Sequence, residues 1–273
     1  MILIFMLMER VNLNMKNKKI KIFASDYDGT LRINHQDVTQ RNLDAIKEWR
    51  KAGNKFGICT GRGPHMIRPE ITRQNMEIDY VVCANGAVIL DKDLQVEKAY
   101  TMQVEDIINI LNTPEAKKCI KAMIATTDNN YEYVINEDLV NMSKSPFSED
   151  ISYEGLKDIT NIVQVTLVTS DKEQTVEIRN SLINTCSDKY RISSNNFCTD
   201  ITVLGRSKTE GILDMQRING WEDGEIYVAG DDFNDIDMLK YFNGFTVETA
   251  SNEIKALSSK VYEDVAEMLY SNM

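Results

Sequence analysis

Histidine is almost absent from this sequence: His35 and His65 are the only two in 273 residues. With so few, and no close spacing between them, histidine-ligated zinc and a histidine-dependent triad both start from a weak position. Cysteine is scarce too. Cys59, Cys83, Cys119, Cys186 and Cys198 are odd in number and never in Cys-x-x-Cys spacing, so neither a disulfide framework nor a zinc–thiolate site is expected, and a reduced, cytoplasmic setting is. Positive charge is the third shortage, with 31 Lys and Arg against 42 Asp and Glu and a net charge of -11. That balance argues against nucleic acid or an anionic membrane as partner, and leaves a small phosphorylated metabolite open if cations gather locally.

A bilayer-spanning run is missing as well. Met1 to Met8 is apolar but too short, with no basic region before it. Met15, followed by Lys-Asn-Lys-Lys, looks like a natural start, so residues 1–17 are expected to be a dispensable extension. No internal repeat is evident, and the Gly-x-Gly-x-x-Gly turn of a dinucleotide-binding fold does not follow the first strand. Hydrophobic residues make up 42% and charged residues 27%, which describes an ordinary globular chain with room for one large or two modest domains.

What is present is organised around Asp26-Tyr27-Asp28-Gly29-Thr30-Leu31. Lys19 to Ser25 reads as a short buried strand running straight into the acidic pair, which therefore sits at the strand's carboxyl end. That edge of an open α/β sheet is where ligands bind, and two acids at i and i+2 point the same way. Such crowding costs energy unless a cation lies between them. Taken alone, the same residues also make a good Asx turn.

The rest of the chain repeats the pattern. Thr39 can cap a helix carrying Leu43, Ile46 and Trp49, Gly53 stops it, and Lys55 to Cys59 is a strand ending in Thr60-Gly61-Arg62. Strand, helix, strand with short joins implies a parallel sheet. Asp79 to Ala84 is a third strand ending in Asn85-Gly86. From Ala87 to Leu204 short alternating strands and helices read as a separate α+β domain, with a polar loop or short irregular helix over 136–158. Thr209 to Ile218 is helical, Glu225 to Ala229 is a buried strand, and it ends in Gly230-Asp231-Asp232-Phe233-Asn234-Asp235. Ile236 to Phe242 then reads as a helix, Phe245 to Val247 as a strand, and Ser251 to Leu257 and Tyr262 to Tyr270 as helices.

Four signals thus occur in one order: Asp-x-Asp-Gly-Thr, Thr-Gly-Arg, a lysine opening a helix, and Gly-Asp-x-x-Asn-Asp. In this the sequence resembles the haloacid dehalogenase-like phosphohydrolases, most of all the Cof-like branch, whose large cap is inserted between the second and third motifs. The resemblance implies an α/β fold with a Rossmann-like parallel-sheet core, over 18–86 and 205–273, and an inserted α+β cap over 87–204. It also implies Mg2+-dependent hydrolysis of small phosphate monoesters, sugar phosphates among them, through an aspartyl-phosphate.

The chemistry asks for an in-line nucleophile, a proton donor and positive charge around the phosphoryl oxygens. Asp26 can be the nucleophile and Asp28 the acid and base. Lys208 would neutralise Asp26 and phosphate together, and Thr60, Gly61 and Arg62 would meet phosphoryl oxygens. By resemblance the metal takes a carboxylate oxygen of Asp26, the main-chain carbonyl of Asp28 and the carboxylate of Asp231, with Asp235 beside them; Asn234 orients oxygens. Asp232 departs from the family's usual small residue there. A phosphotransferase or phosphomutase using the same intermediate is the nearest alternative, and a non-catalytic sensor of a phosphometabolite is a second.

Overall fold

The computed structural model describes residues 19–34, 36–137 and 148–273. The dispensable-extension expectation for 1–17 lies outside these residues, as does 138–147 of the polar loop. In chain order the elements are β1 Lys21–Ser25, α1 Gln40–Lys51, β2 Lys55–Cys59, α2 Pro64–Arg73, β3 Tyr80–Cys83, β4 Val88–Asp91, β5 Val96–Ala99 and α3 Val104–Leu111. There follow β6 Lys121–Thr126, β7 Asn130–Val134, β8 Glu149–Asp150, α4 Tyr153–Leu156, β9 Ile162–Val168, α5 Lys172–Cys186, β10 Tyr190–Asn195 and β11 Cys198–Val203. The chain ends with α6 Lys208–Asn219, β12 Glu225–Ala229, α7 Ile236–Tyr241, β13 Phe245–Val247, α8 Asn252–Leu257, β14 Lys260–Tyr262 and α9 Val265–Asn272.

The strands form an eight-stranded sheet, β14-β13-β12-β1-β2-β3-β4-β5, and a six-stranded sheet, β10-β11-β9-β6-β7-β8. From β14 to β3 the larger sheet is parallel, and its apolar runs are buried on both faces, as helix-covered parallel strands must be. Trp49 of α1 meets Phe23 of β1 edge-on at 6.0 Å, and Phe23 stacks on Phe56 of β2 at 5.9 Å. Thr39 caps α1 by accepting the Asn42 amide at 3.2 Å.

Strands β4 and β5, whose alternating texture groups them with the insert in the sequence, extend the larger sheet instead, β4 pairing antiparallel with β3 and β5 with β4. The six-stranded sheet starts only at Lys121 and has a core of its own, with Ile124, Val165, Leu167 and Ile201 buried. Two further differences are local. Helix α2 does not stand out in the sequence because Pro69 sits inside it, where a proline usually breaks the ladder. Tyr262, expected to open the last helix, is instead paired with Val247 in the short strand β14, and its β-branched and aromatic neighbours favour that.

Candidate active site

Strand register decides which residues meet. In the parallel set Ser25 lies beside Ala229 and Ile58, and Cys59 beside Val82. The next residues along, Asp26, Gly230, Thr60 and Ala84, therefore leave the sheet at one edge. Strand order reverses direction around β1, with β2 on one side and β12 on the other, and ligands of open α/β sheets bind at that point.

Lys208, the first residue of α6, is delivered to the same edge and is 1% exposed. Its Nζ donates to Asp26 Oδ1 at 2.6 Å and to Asp235 Oδ1 at 2.5 Å. Burial works against the ammonium, but Asp235 and Asp26 outweigh it and hold its pKa above the ordinary lysine value. Asp235 accepts further bonds from the backbone. Its Oδ2 accepts the Asp231 amide at 3.1 Å and the Asp232 amide at 3.2 Å, which folds the acidic turn around it.

Asp231 is positioned by Thr30, whose hydroxyl donates to its Oδ1 at 2.6 Å. Gly29 lies between them at φ +96°, and a Cβ there would come within 2.2 Å of Asp231 Oδ2, so the turn needs glycine twice over. Burial pushes the Asp26 carboxyl well above the usual range, Asp235 and Asp231 add to this, and Lys208 opposes it. Burial likewise pushes Asp231 up to about 6. Asp26, Asp231 and Asp235 each offer a carboxylate oxygen, and these oxygens all lie within 4.8 Å of one another. One ammonium does not balance two buried carboxylates and the half-buried Asp231, and hard oxygens in excess negative charge fit a hard divalent cation such as Mg2+.

Asp28 is placed differently. Arg62 donates to both its oxygens, from Nε at 2.6 Å and Nη2 at 2.8 Å, and Arg32 adds a contact at 3.3 Å. Its side chain is 40% exposed, at the mouth. Arg62 is itself backed by the Tyr27 ring, 5.1 Å from the guanidinium carbon. Thr60 Oγ1 accepts the Arg62 amide at 3.1 Å, and Asn234 Nδ2 reaches Asn85 Oδ1 at 3.4 Å. Asp232 turns its carboxylate onto the Phe233 amide at 2.7 Å.

Above this edge lies a cavity of about 300 Å3, walled on one side by Asp26, Asp28, Thr60, Gly61 and Arg62 and on the other by residues of the six-stranded sheet. That second wall went unassigned in the sequence. Gln164 of β9 donates to Gly61 O at 3.0 Å and accepts from Asn85 Nδ2 at 3.0 Å, and Asp200 of β11 accepts from the same Asn85 nitrogen at 3.0 Å. The one available signal was an acid in Cys198-Thr-Asp-Ile-Thr-Val203, a run otherwise suited to a buried strand.

The fold and site define a hydrolase with its acids at the carboxyl edge of a parallel sheet. Residues 23–268 match the model for haloacid dehalogenase-like hydrolases, and the chain belongs to that family. YbjI, a 5-amino-6-(5-phospho-D-ribitylamino)uracil phosphatase of Escherichia coli strain K12, is 26% identical over 254 residues, covering 87% of this chain and 88% of its own. YbhA, a pyridoxal phosphate phosphatase of the same organism, is 23% identical over 275 residues, covering 93% and 98%. A haloacid dehalogenase-like hydrolase from B. subtilis superposes with a TM-score of 0.79 at 19% identity, over 93% of this chain and 100% of its own. That last likeness speaks to fold alone.

Proposed function

We propose that this chain is a Mg2+-dependent phosphatase acting on small phosphate monoesters, sugar phosphates among them. One observation carries it: the buried ammonium of Lys208 bridges Asp235 to Asp26, which lines a ligand-sized cavity, with Asp231 beside them. YbjI and YbhA are named for monoesters of small molecules, which supports the substrate class.

Asp26 attacks phosphorus with one carboxylate oxygen, and the ester P–O bond breaks on the opposite side. The leaving oxygen takes a proton from the Asp28 carboxyl. Water then attacks phosphorus of the aspartyl-phosphate, Asp28 takes the water's proton, and inorganic phosphate leaves with Asp26 restored. Lys208 neutralises Asp26 and the phosphoryl oxygens throughout, while Thr60 and the Gly61 backbone receive those oxygens. Bound Mg2+, held by Asp26, Asp231 and the Asp28 main chain with Asp235 alongside, would supply further positive charge against the phosphoryl group. The segment carrying the six-stranded sheet acts as the cap that shuts out water. Five unpaired cysteines support a reducing, cytoplasmic setting.

The test is phosphate release from a panel of phosphorylated metabolites, with and without Mg2+, for wild type and Asp26→Asn. Mg2+-dependent release by wild type alone is expected. Equal release by both proteins overturns the assignment of Asp26, and transfer to an added sugar with little free phosphate overturns hydrolysis.

A further inference from the structure

The two walls of the cavity differ in charge. The polar residues of the insert's wall are Asn130, Gln164, Thr166, Asn195, Asn196 and Asp200. Among the described residues lining the cavity Arg62 is the one cation, and it is committed to Asp28. Arg179 and Arg191 of the insert line a separate cavity of about 410 Å3, which shares Asn234 with the first, and Arg191 is paired with Asp237.

Asp200 stands out on this wall. It is 9% exposed, yet among the described residues no cation pairs with it. Oδ1 accepts from Thr166 Oγ1 at 2.6 Å and from Gln164 Nε2 at 3.4 Å, and Oδ2 accepts from Asn85 Nδ2 at 3.0 Å. A carboxylate has about four acceptor sites, so capacity remains for a donor in the cavity. Burial holds its pKa above the usual carboxylate range, against the bonds from Thr166 and Asn85 and the more distant charge of Lys208.

We propose that Asp200 is a specificity-determining residue, selecting a leaving group that is uncharged and hydroxyl-bearing and turning away one that carries a second anionic group. This rests on the phosphatase assignment above and narrows its substrate class. Hydroxyls find acceptors and amides at the polar positions of the wall, between Met123, Ala125 and Cys198, and at about 300 Å3 the cavity is at the small end of ligand sites. A second anion would meet like charge at Asp200 and Asp232, in a low-dielectric cleft without a free cation on the cap side. The three hydrogen bonds to Asp200 come from groups without charge, so nothing on the wall cancels it.

The experiment uses the full chain with Mg2+ and p-nitrophenyl phosphate as a general substrate. Glucitol 6-phosphate and 6-phosphogluconate, open chains that differ by a hydroxymethyl group against a carboxylate at carbon 1, are each scored by the concentration that halves hydrolysis of p-nitrophenyl phosphate. In wild type glucitol 6-phosphate is expected to compete about tenfold better. Asp200→Asn, which removes the charge and keeps the shape, should shrink that ratio at least about threefold, and Asp200→Glu should keep it. A wild-type ratio near one overturns the proposal, as does competition by neither compound. So does an equal shift in the Asn and Glu variants, the mark of a merely structural role. Preference for the gluconate that vanishes in Arg179→Ala would overturn it in favour of an anion site at the arginines. Wild type inert toward p-nitrophenyl phosphate brings down the phosphatase assignment, and this proposal with it; turnover with an unmoved ratio brings down Asp200 alone.

Discussion

Arg62 grips both oxygens of Asp28, Nε to Oδ2 at 2.6 Å and Nη2 to Oδ1 at 2.8 Å. A carboxylate held by a two-pronged guanidinium is oriented, but it is not at that moment a proton donor to a leaving oxygen. Acid catalysis by Asp28 therefore requires this clamp to open as substrate enters. The released guanidinium then passes to the phosphoryl oxygens, so Arg62→Lys, which keeps the charge and loses the fork, is expected to lower kcat/KM about tenfold, roughly one oriented contact in the transition state. Steady-state kinetics on p-nitrophenyl phosphate check this; an unchanged kcat/KM would show the clamp to be incidental.

Asp26→Asn should cut turnover by at least about a thousandfold, because of the three clustered carboxylates Asp26 is the one that lines the cavity. The variant should still fold, since Lys208 keeps its bond to Asp235. Circular dichroism beside the phosphate assay separates the two effects.

Lys208→Met leaves Asp26 and Asp235 buried without their ammonium. Breaking a buried pair by removing one partner costs about 3–5 kcal/mol. Denaturant unfolding should show that loss without metal, and added Mg2+ should recover part of it by supplying charge to the same carboxylates. Recovery absent in the variant and in wild type alike would argue that the acids do not hold a cation.

Gly29→Ala is expected to damage Asp231 first. Its Cβ would overlap the Asp231 carboxylate, and its φ of +96° is strained for any side chain. A loss of about 1–3 kcal/mol in stability is expected, with a rise in the Mg2+ concentration needed for half-maximal activity.

Asp79 gives a pH prediction remote from the site. Burial works to raise its pKa, but bonds from Arg50 at 2.9 and 3.3 Å and from the Phe56 amide at 3.0 Å outweigh that and hold it below 3.8. A folded pKa below the unfolded one means stability present above about pH 4 and lost as the pH falls through the folded value. Asp79→Asn should therefore be clearly less stable than wild type at pH 7 and approach it near pH 3. Denaturant midpoints at the two pH values measure the gap, which must close on acidification.

The catalytic edge was legible because each of its residues follows a run with an unmistakable period. Ile22 to Ser25, Phe56 to Cys59 and Val228-Ala229 are buried strand ends that read as such, and Asp26, Thr60 and Asp231 come one or two residues after them. Lys208 was legible only through its company. The opposite wall was not legible: Asn85, Gln164 and Asp200 meet across sequence separations of 79 and 115 residues, and no local pattern encodes which strand faces a cavity. The same gap hid the sheet to which β4 and β5 belong, since an alternating strand looks alike whichever neighbour it pairs with.

Gly86, with φ +92°, has room for no Cβ because Ser207 O would lie 1.9 Å from it. The chain therefore leaves the parallel strands and returns to them, more than a hundred residues later, through a single doorway. To the parallel strands everything in between is a loop whose ends are already tied, and the entropy of closing a loop grows only slowly with its length. The part of that segment beyond β5 can therefore be lengthened, shortened or exchanged over evolutionary time without disturbing the acids at the sheet edge, which lets one reaction centre be refitted for new substrates.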